Sequence, residues 1–471
     1  MTTARDRPAH VVVVGGGIAG LAAAWFLRRD GGGRVRVTVL EASPQVGGKL
    51  RVGDLAGVPV DEGAESLLLR RPEARDLARA AGIELEDAAT TSARVWTRGE
   101  LRPLPPGTLM GIPSDLRQLA GTGLLTSREL ARIPLDAWLP RTSVGDDVSV
   151  GRYVAARLGR AVLDRLVEPL LGGVYAGRAD QLSLAATLPQ LLPHVRQERS
   201  LLAAVRASRA ATPPVEGAVF GAPRGGVGRL PAAVARASGA EIRTGTTVRE
   251  MRRTPTGWRL TVGSTRDAEE VAADAVVLAV PAAPAARLMR AEVPAAATEL
   301  AQVRAASMAV VGLAFPAESF DRPPATSGFL VPPVDDRAVK AVTFSSTKWG
   351  WYAGAAPGVV VVRASLGRMG EEAMLQREDP ELVDLALADL TDSLGVTDPP
   401  LDARVTRWGG GLPQYAVGHL GRVARVRTAV AAQTGLAVCG ATYDGVGIPA
   451  CVATAERAAH EVLRQWRGEG P

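Results

Sequence analysis

The chain is short of cysteine, histidine, lysine and aromatic side chains, and each shortage excludes a class of protein. Its two cysteines, Cys439 and Cys451, cannot build a disulfide framework and are not spaced as C-x-x-C. They read as buried thiols in a reducing cytoplasm. The four histidines, His10, His194, His419 and His460, are scattered, which argues against a histidine-built metal site. Phe, Trp and Tyr make up 4% of the residues, few for a site walled by aromatic cages. The net charge of +6 is spread over 471 residues with no block of like charges, so a nucleic-acid partner is not expected. No apolar run reaches the roughly 18 residues of a spanning helix without interruption. Of 55 basic residues only Lys49, Lys340 and Lys348 are lysines. Most of the arginine reads as compositional bias. The functional remainder is a surface for carboxylates, whose geometry the guanidinium fork matches, or for anionic lipid.

What is present is an ordinary globular balance, 46% hydrophobic and 22% charged, at a length that asks for two or three packed units. Val11 to Leu27 is apolar and follows Arg5, Arg7 and His10, as a signal peptide would. Gly15, Gly16, Gly17 and Gly20 interrupt it, and Arg28-Arg29-Asp30 stands where a cleavage site would be, so export is not expected. Strand, turn and helix fit better. Val11–Val14 is a buried parallel strand, Ala19–Arg29 a helix, and Val35–Leu40 a second strand, one βαβ unit. Gly15-x-Gly17-x-x-Gly20 lies between strand and helix, where glycines let backbone approach a pyrophosphate at a helix N-terminus. Glu41 closes the second strand, placed to accept ribose hydroxyls and to reject a 2′-phosphate. FAD and NAD remain. Gly47-Gly48-Lys49 follows, a second loop able to close over a pyrophosphate and offset its charge.

Further along, helices are expected at Glu73–Gly82, Val150–Leu158, Ala161–Leu171, Leu230–Ala237, Pro380–Leu394 and Cys451–Trp466. Strands are expected at Glu241–Arg243, Thr247–Arg252, Trp258–Val262, Asp274–Val280, Ser307–Phe315, Ala338–Ser345, Val359–Leu366 and Leu436–Cys439. Thr90–Pro106 reads as short strands, residues 107–212 as mostly helical, and Thr212-Pro213-Pro214 as a break.

The N-terminal motifs resemble those of flavin-dependent amine oxidases, carotenoid desaturases and protoporphyrinogen oxidases. Gly225-Gly226-Val227-Gly228-Arg229-Leu230, Gly245-Thr246-Thr247-Val248 and Asp274–Pro281 resemble later family segments. Three more point to one branch: Gly173-Val174-Tyr175-Ala176-Gly177, Pro413-Gln414-Tyr415-Ala416-Val417-Gly418-His419, and Gly445-Val446-Gly447-Ile448-Pro449-Ala450-Cys451. Together they resemble the bacterial coproporphyrinogen III and protoporphyrinogen oxidases, and the match spans almost the whole chain.

The resemblance implies an α/β fold: a discontinuous Rossmann-like FAD-binding domain (residues 1–90, 216–295 and 420–471), a mixed-sheet substrate domain (91–106 and 296–419) and a helical subdomain (107–215). It implies FAD as cofactor, held by Gly15, Gly16, Gly17, Ile18, Ala19 and Gly20 at the pyrophosphate, Glu41 and Ala42 at the ribose, and Gly48 and Lys49 at the phosphates. Gly63, Ala64, Glu65 and Ser66, then Val248, Trp408, Val446, Gly447 and Ile448, match the other flavin-contacting positions. The family has Gly-Pro where this chain has Gly63-Ala64. As bare sequence Arg70, Arg71 and Arg94 read as solvated surface residues; the resemblance points to Arg71 first and Arg94 second as partners of substrate propionates. No residue is assigned as a catalytic acid or base, and no metal is expected. His419 suits a structural hydrogen bond at least as well as a catalytic role.

The reaction implied is six-electron oxidation of a porphyrinogen, in three two-electron cycles with O2 reduced to H2O2. A porphyrinogen and O2 are then the partners, with a ferrochelatase-type protein downstream and peripheral contact of the helical stretch with the inner membrane face left open. The preference between coproporphyrinogen III and protoporphyrinogen IX is also open. Amine or carotenoid oxidation on the same fold is the alternative, as is an escort protein without chemistry, of the kind the GDP-dissociation inhibitors represent. The intact glycine motifs argue against the last.

Overall fold

The computed structural model describes residues 7–212 and 217–468; Arg5 and the Pro213-Pro214 part of the expected break lie outside them. At its centre is a five-stranded parallel sheet in the order Glu241–Arg243, Val35–Leu40, Ala9–Val14, Ala275–Leu278, Leu436–Val438. Strand Ala9–Val14 is buried along its whole length. The two-residue period sends Val11 and Val13 into one core and Val12 and Val14 into the other. That is why its sequence is a continuous apolar run. Burying each of these valines stabilises the sheet by roughly 1.5–3 kcal/mol.

Helices Ile18–Gly31, Leu230–Ser238, Pro72–Ala80 and Ile448–Arg467 cover the first face. The second carries an antiparallel meander, Val248–Thr254, Gly257–Gly263 and Ala268–Ala273. Helices Ala282–Met289, Pro294–Ala301 and His419–Ala431 complete that layer.

A seven-stranded mixed sheet forms the second unit. Its order is Asp402–Pro413, Ala305–Pro316, Val359–Leu366, Val339–Phe344, Gly328–Leu330, Ala93–Thr97, Glu100–Pro103. All its pairings are antiparallel except Gly328–Leu330 with Ala93–Thr97. Helix Asp379–Leu394 packs on it through Leu382, Ala386 and Leu390. The helices between Leu116 and Ala210 have a core of their own, centred on Leu163, Leu166 and Leu171.

Val35–Leu40, Val150–Leu158 and Val359–Leu366 begin and end where the sequence predicts. The expected helix Ala161–Leu171 is interrupted by a π-helical turn, Leu163–Val167, before helix Glu168–Tyr175. Pro169 has no N–H to donate back to the turn before it, so the regular ladder cannot pass through.

Candidate cofactor and substrate site

The carboxyl ends of the five parallel strands open onto one edge of the sheet, the place where α/β folds of this type receive ligands. Gly15 leaves strand Ala9–Val14 with φ +105°, and a Cβ there would stand 2.7 Å from the Ala279 carbonyl oxygen. Gly20 packs closer still, since a Cβ would meet the Gly15 carbonyl oxygen at 1.9 Å. Helix Ile18–Gly31 therefore starts directly against the strand. Gly17 caps it with no side chain, which leaves its first N–H groups to a ligand. Ile18 and Ala19 are buried in its first turn. The Gly47 N–H donates to the Gly16 carbonyl at 2.8 Å, and Gly48 faces Gly17 across the crevice. The two glycine loops thus form one cradle.

Glu41 ends the second strand beside them. Its Oε2 accepts the Gly16 N–H at 2.6 Å, and its Oε1 accepts the Ser43 N–H and hydroxyl at 2.8 and 2.7 Å. Oε2 keeps a lone pair for one further donor, such as a ribose hydroxyl. Ala42 is exposed next to it. The Thr246 N–H donates to the Glu41 carbonyl at 2.8 Å, which brings the start of strand Val248–Thr254 alongside. The Val248 side chain itself belongs to the core.

Burial pushes the Lys49 ammonium below its ordinary range, and no carboxylate of the described residues pairs with it. A bound anion would supply what it lacks. From Lys49 the groove runs on to Gly63, where a Cβ would stand 2.0 Å from the Lys49 carbonyl oxygen and 3.2 Å from the Trp408 ring. Trp408 Nε1 donates to the Glu62 carbonyl at 2.8 Å. Ala64 is exposed, whereas the Glu65 carboxylate turns inward to Arg363 and Lys348. Lys348 Nζ also lies 3.5 Å from the Ser66 hydroxyl. Gly447 caps helix Ile448–Arg467 without a side chain, a second open helix N-terminus after Val446. Asp444, in the loop before it, is held by Arg427 and Arg457.

The three branch-specific motifs, far apart in sequence, meet. Gln414 Nε2 donates to the Tyr175 carbonyl at 2.7 Å. The rings of Tyr175 and Tyr415 lie 5.7 Å apart. The Tyr415 hydroxyl donates to the Ala441 carbonyl at 2.5 Å, and its ring stacks on His419 at 4.0 Å. His419 is buried, with Nε2 3.2 Å from the Tyr443 carbonyl oxygen, and burial lowers its pKa. It fastens the C-terminal loop. Cys439 and Cys451 are both buried, and burial raises both thiols.

The profile of flavin containing amine oxidoreductases matches residues 18–463. The chain belongs to this family. A flavin containing amine oxidoreductase of this architecture takes FAD, and the paired glycine loops, the open lone pair of Glu41 and the unpaired Lys49 fit it. The coproporphyrinogen III oxidase of Mycobacterium tuberculosis is 39% identical over 462 residues, covering 97% of this chain and 98% of that one. That of Bacillus subtilis is 33% identical over 476 residues, with 97% and 98% covered. A solved structure from Exiguobacterium that carries the provisional name protoporphyrinogen oxidase is 31% identical, with a TM-score of 0.84 over 98% of this chain and 99% of that one.

The two arginines expected to meet substrate propionates are both exposed in this flavin containing amine oxidoreductase. Arg71, at the N-cap of helix Pro72–Ala80, is exposed and grips Glu73 through Nε and Nη2. Arg94, on strand Ala93–Thr97, is exposed and, among the described residues, donates only to the Leu101 carbonyl, at 3.2 Å. Sequence reasoning missed the buried charges on and beside the mixed sheet, Arg363, Lys340 and Arg368, and the half-buried Lys348 next to them. The signal was present in two of the three lysines and in Arg363, which stands inside an apolar strand.

Proposed function

We propose that the chain is an FAD-dependent oxidase converting coproporphyrinogen III to coproporphyrin III in haem biosynthesis. The observation that carries this reading is the junction of the Tyr175, Tyr415 and Ala441 segments beside the C-terminal loop, in a chain similar over nearly its full length to oxidases of that name. When bound, FAD supplies two-electron acceptance and return of the electrons to O2. In this reading Gly15, Gly16, Gly17, Ile18, Ala19 and Gly20 hold the pyrophosphate with Gly48 and Lys49, and Glu41 and Ala42 hold the ribose. Gly63, Ala64, Ser66, Trp408, Val446, Gly447 and Ile448 line the rest of the groove; Val248 borders it by its backbone, and Glu65 supports it from behind, its carboxylate turned inward. Residues 1–90, 216–295 and 420–471 serve the cofactor, 91–106 and 296–419 the substrate, and 107–215 the entrance.

Arg71 and Arg94 bind propionates. Arg71 must exchange Glu73 for a substrate carboxylate, and an exposed ion pair is worth only about 0–1 kcal/mol, so the exchange costs little. Arg94 has no carboxylate partner among the described residues. No side chain of the chain is assigned the pyrrole proton.

The test is an aerobic assay of the yellow protein with coproporphyrinogen III, protoporphyrinogen IX and a panel of amines. Porphyrin fluorescence should rise fastest with the first, with three H2O2 per porphyrin. No rise with either porphyrinogen, or turnover of an amine instead, overturns the reading. No helix of the described residues is long and apolar enough to cross a membrane. Trp138, 80% exposed beside the exposed Leu135, supports peripheral contact of the helical unit with a membrane surface. Trp138→Ala should then weaken sedimentation with anionic vesicles while leaving the assay unchanged. A ferrochelatase-type protein is the natural acceptor of the product.

A further inference from the structure

A closed set of charges lies directly behind the Gly63–Ala64 backbone. Glu65 is 8% exposed and Arg363 7%. Glu65 Oε2 takes Arg363 Nη1 at 3.2 Å and Lys348 Nζ at 3.3 Å, while its Oε1 accepts the Ser345 hydroxyl. Arg363 Nη2 donates to the Gly63 carbonyl, so one guanidinium grips both the carboxylate and the peptide that faces the groove. Its Nε has no partner among the described residues. Two cations thus share one carboxylate.

The neighbouring groups offset the surplus only in part: the Arg363 charge acts on Asp61, but burial holds that carboxyl back from full ionisation at neutral pH. Glu62 is engaged with Arg404 at 2.7 Å. Asp61 accepts the N–H groups of Val227 and Gly228 at 2.9 and 2.8 Å, and burial pushes its carboxyl up to about 7. Tyr352 donates to the Pro59 carbonyl at 3.3 Å, and burial raises its hydroxyl above the usual range. An unbalanced positive charge inside a protein is costly unless something nearby profits from it. The open side of this set is the Gly63–Ala64 backbone, in the part of the groove shared with Lys49 and Trp408.

We propose that Arg363 is a positioning residue with an electrostatic role: held by Glu65, it fixes the Gly63 peptide against the flavin, and its surplus charge makes the bound flavin easier to reduce. The inference rests on FAD lying along the groove as proposed above. The two fail differently: a colourless wild-type protein would sink that placement, whereas this proposal is judged on proteins that are yellow.

The experiment measures the flavin reduction potential by dye equilibration, and visible circular dichroism, in wild-type holoprotein and in Arg363→Gln, Arg363→Lys and Glu65→Gln. Arg363→Gln removes the surplus and should lower the equilibrium constant for reduction about tenfold, about 30 mV for a two-electron couple. Glu65→Gln leaves both cations uncompensated and should shift it by a similar factor in the opposite direction. Arg363→Lys keeps the charge but cannot make the forked grip, so it should hold the potential within about threefold and still alter the dichroism of the flavin. Opposite shifts are what a merely structural role would not produce. Shifts of the same sign, or potentials that do not move, overturn the proposal. Where Arg363→Gln fails to retain flavin, the other two variants decide: a raised potential in Glu65→Gln with altered dichroism in Arg363→Lys supports it, and wild-type values in both overturn it.

Discussion

Gly15 to Gly20 and Gly63 to Ser66 border the same groove but are held in place by different means. The first segment is fixed mainly by backbone contacts, with one side-chain hold, the Glu41 carboxylate on the Gly16 N–H: strand, turn and helix approach so closely that no side chain fits at Gly20. Its open groups are helix N–H donors. The second is held by side-chain charges, with Asp61, Glu62 and Glu65 each gripping a different part of the chain. The helical unit follows the second pattern: Arg157 and Asp136 are both fully buried and paired at 2.6 Å, and Arg157 also donates to the carbonyls of Pro140 and Arg199. Backbone-made sites tolerate no added atoms. Charge-made ones tolerate changes of shape but not loss of one partner.

The largest test of this contrast is Gly20→Val. The added carbons would have to displace the Gly15 carbonyl, and a loss of at least about 3 kcal/mol with little flavin retained is expected. Thermal melts and the flavin-to-protein absorbance ratio check it, and a yellow protein of unchanged stability would break the comparison. Next is Arg157→Ala, which strands a buried carboxylate and should cost about 3–5 kcal/mol by urea titration. The protein that remains folded should still be yellow, because this charge pair serves the helical unit and not the cradle.

Arg71→Ala should raise KM for coproporphyrinogen III about tenfold, the worth of about one charge-assisted contact, with kcat within about threefold. An unchanged KM in steady-state assays rejects Arg71 and promotes Arg94. The last test is pH dependence. The Asp61 carboxyl is raised by burial to about 7, so the stability it contributes is present at low pH and lost as pH rises through 7. The Lys340 ammonium is lowered by burial to about 7, so its contribution is present at high pH and lost as pH falls through 7. Together they should leave a minimum of stability near pH 7 in denaturation curves. Asp61→Asn should flatten the acid side of that minimum, and Lys340→Met the alkaline side.

The contrast also explains what was legible beforehand. The βαβ unit, the glycine cradle and Glu41 follow from residues within one short stretch, and each came out where the sequence placed it. Helices Ala282–Met289 and Pro294–Ala301 escaped notice because alanine gives them helix propensity without an apolar stripe. Strand Asp402–Pro413 was hidden by Arg404, Arg407 and the glycines at 409 to 411. Its identity comes from pairing with Ala305–Pro316, not from its own alternation. Helix His419–Ala431 begins inside a motif that reads as a loop. The inward turn of Glu65 had no local signal, since both its cations lie about three hundred residues away.

FAD and the class of chemistry came from resemblance to a family; what the sequence determined by itself is the cradle and the rejection of a 2′-phosphate. These depend on local backbone freedom and on one carboxylate at a fixed offset. Only the tertiary structure decided which charges are buried, which carboxylates are already engaged and which arginines are left open to a substrate. Such pairings form between distant segments, where proximity in the folded chain sets the energy and sequence spacing carries no trace of it.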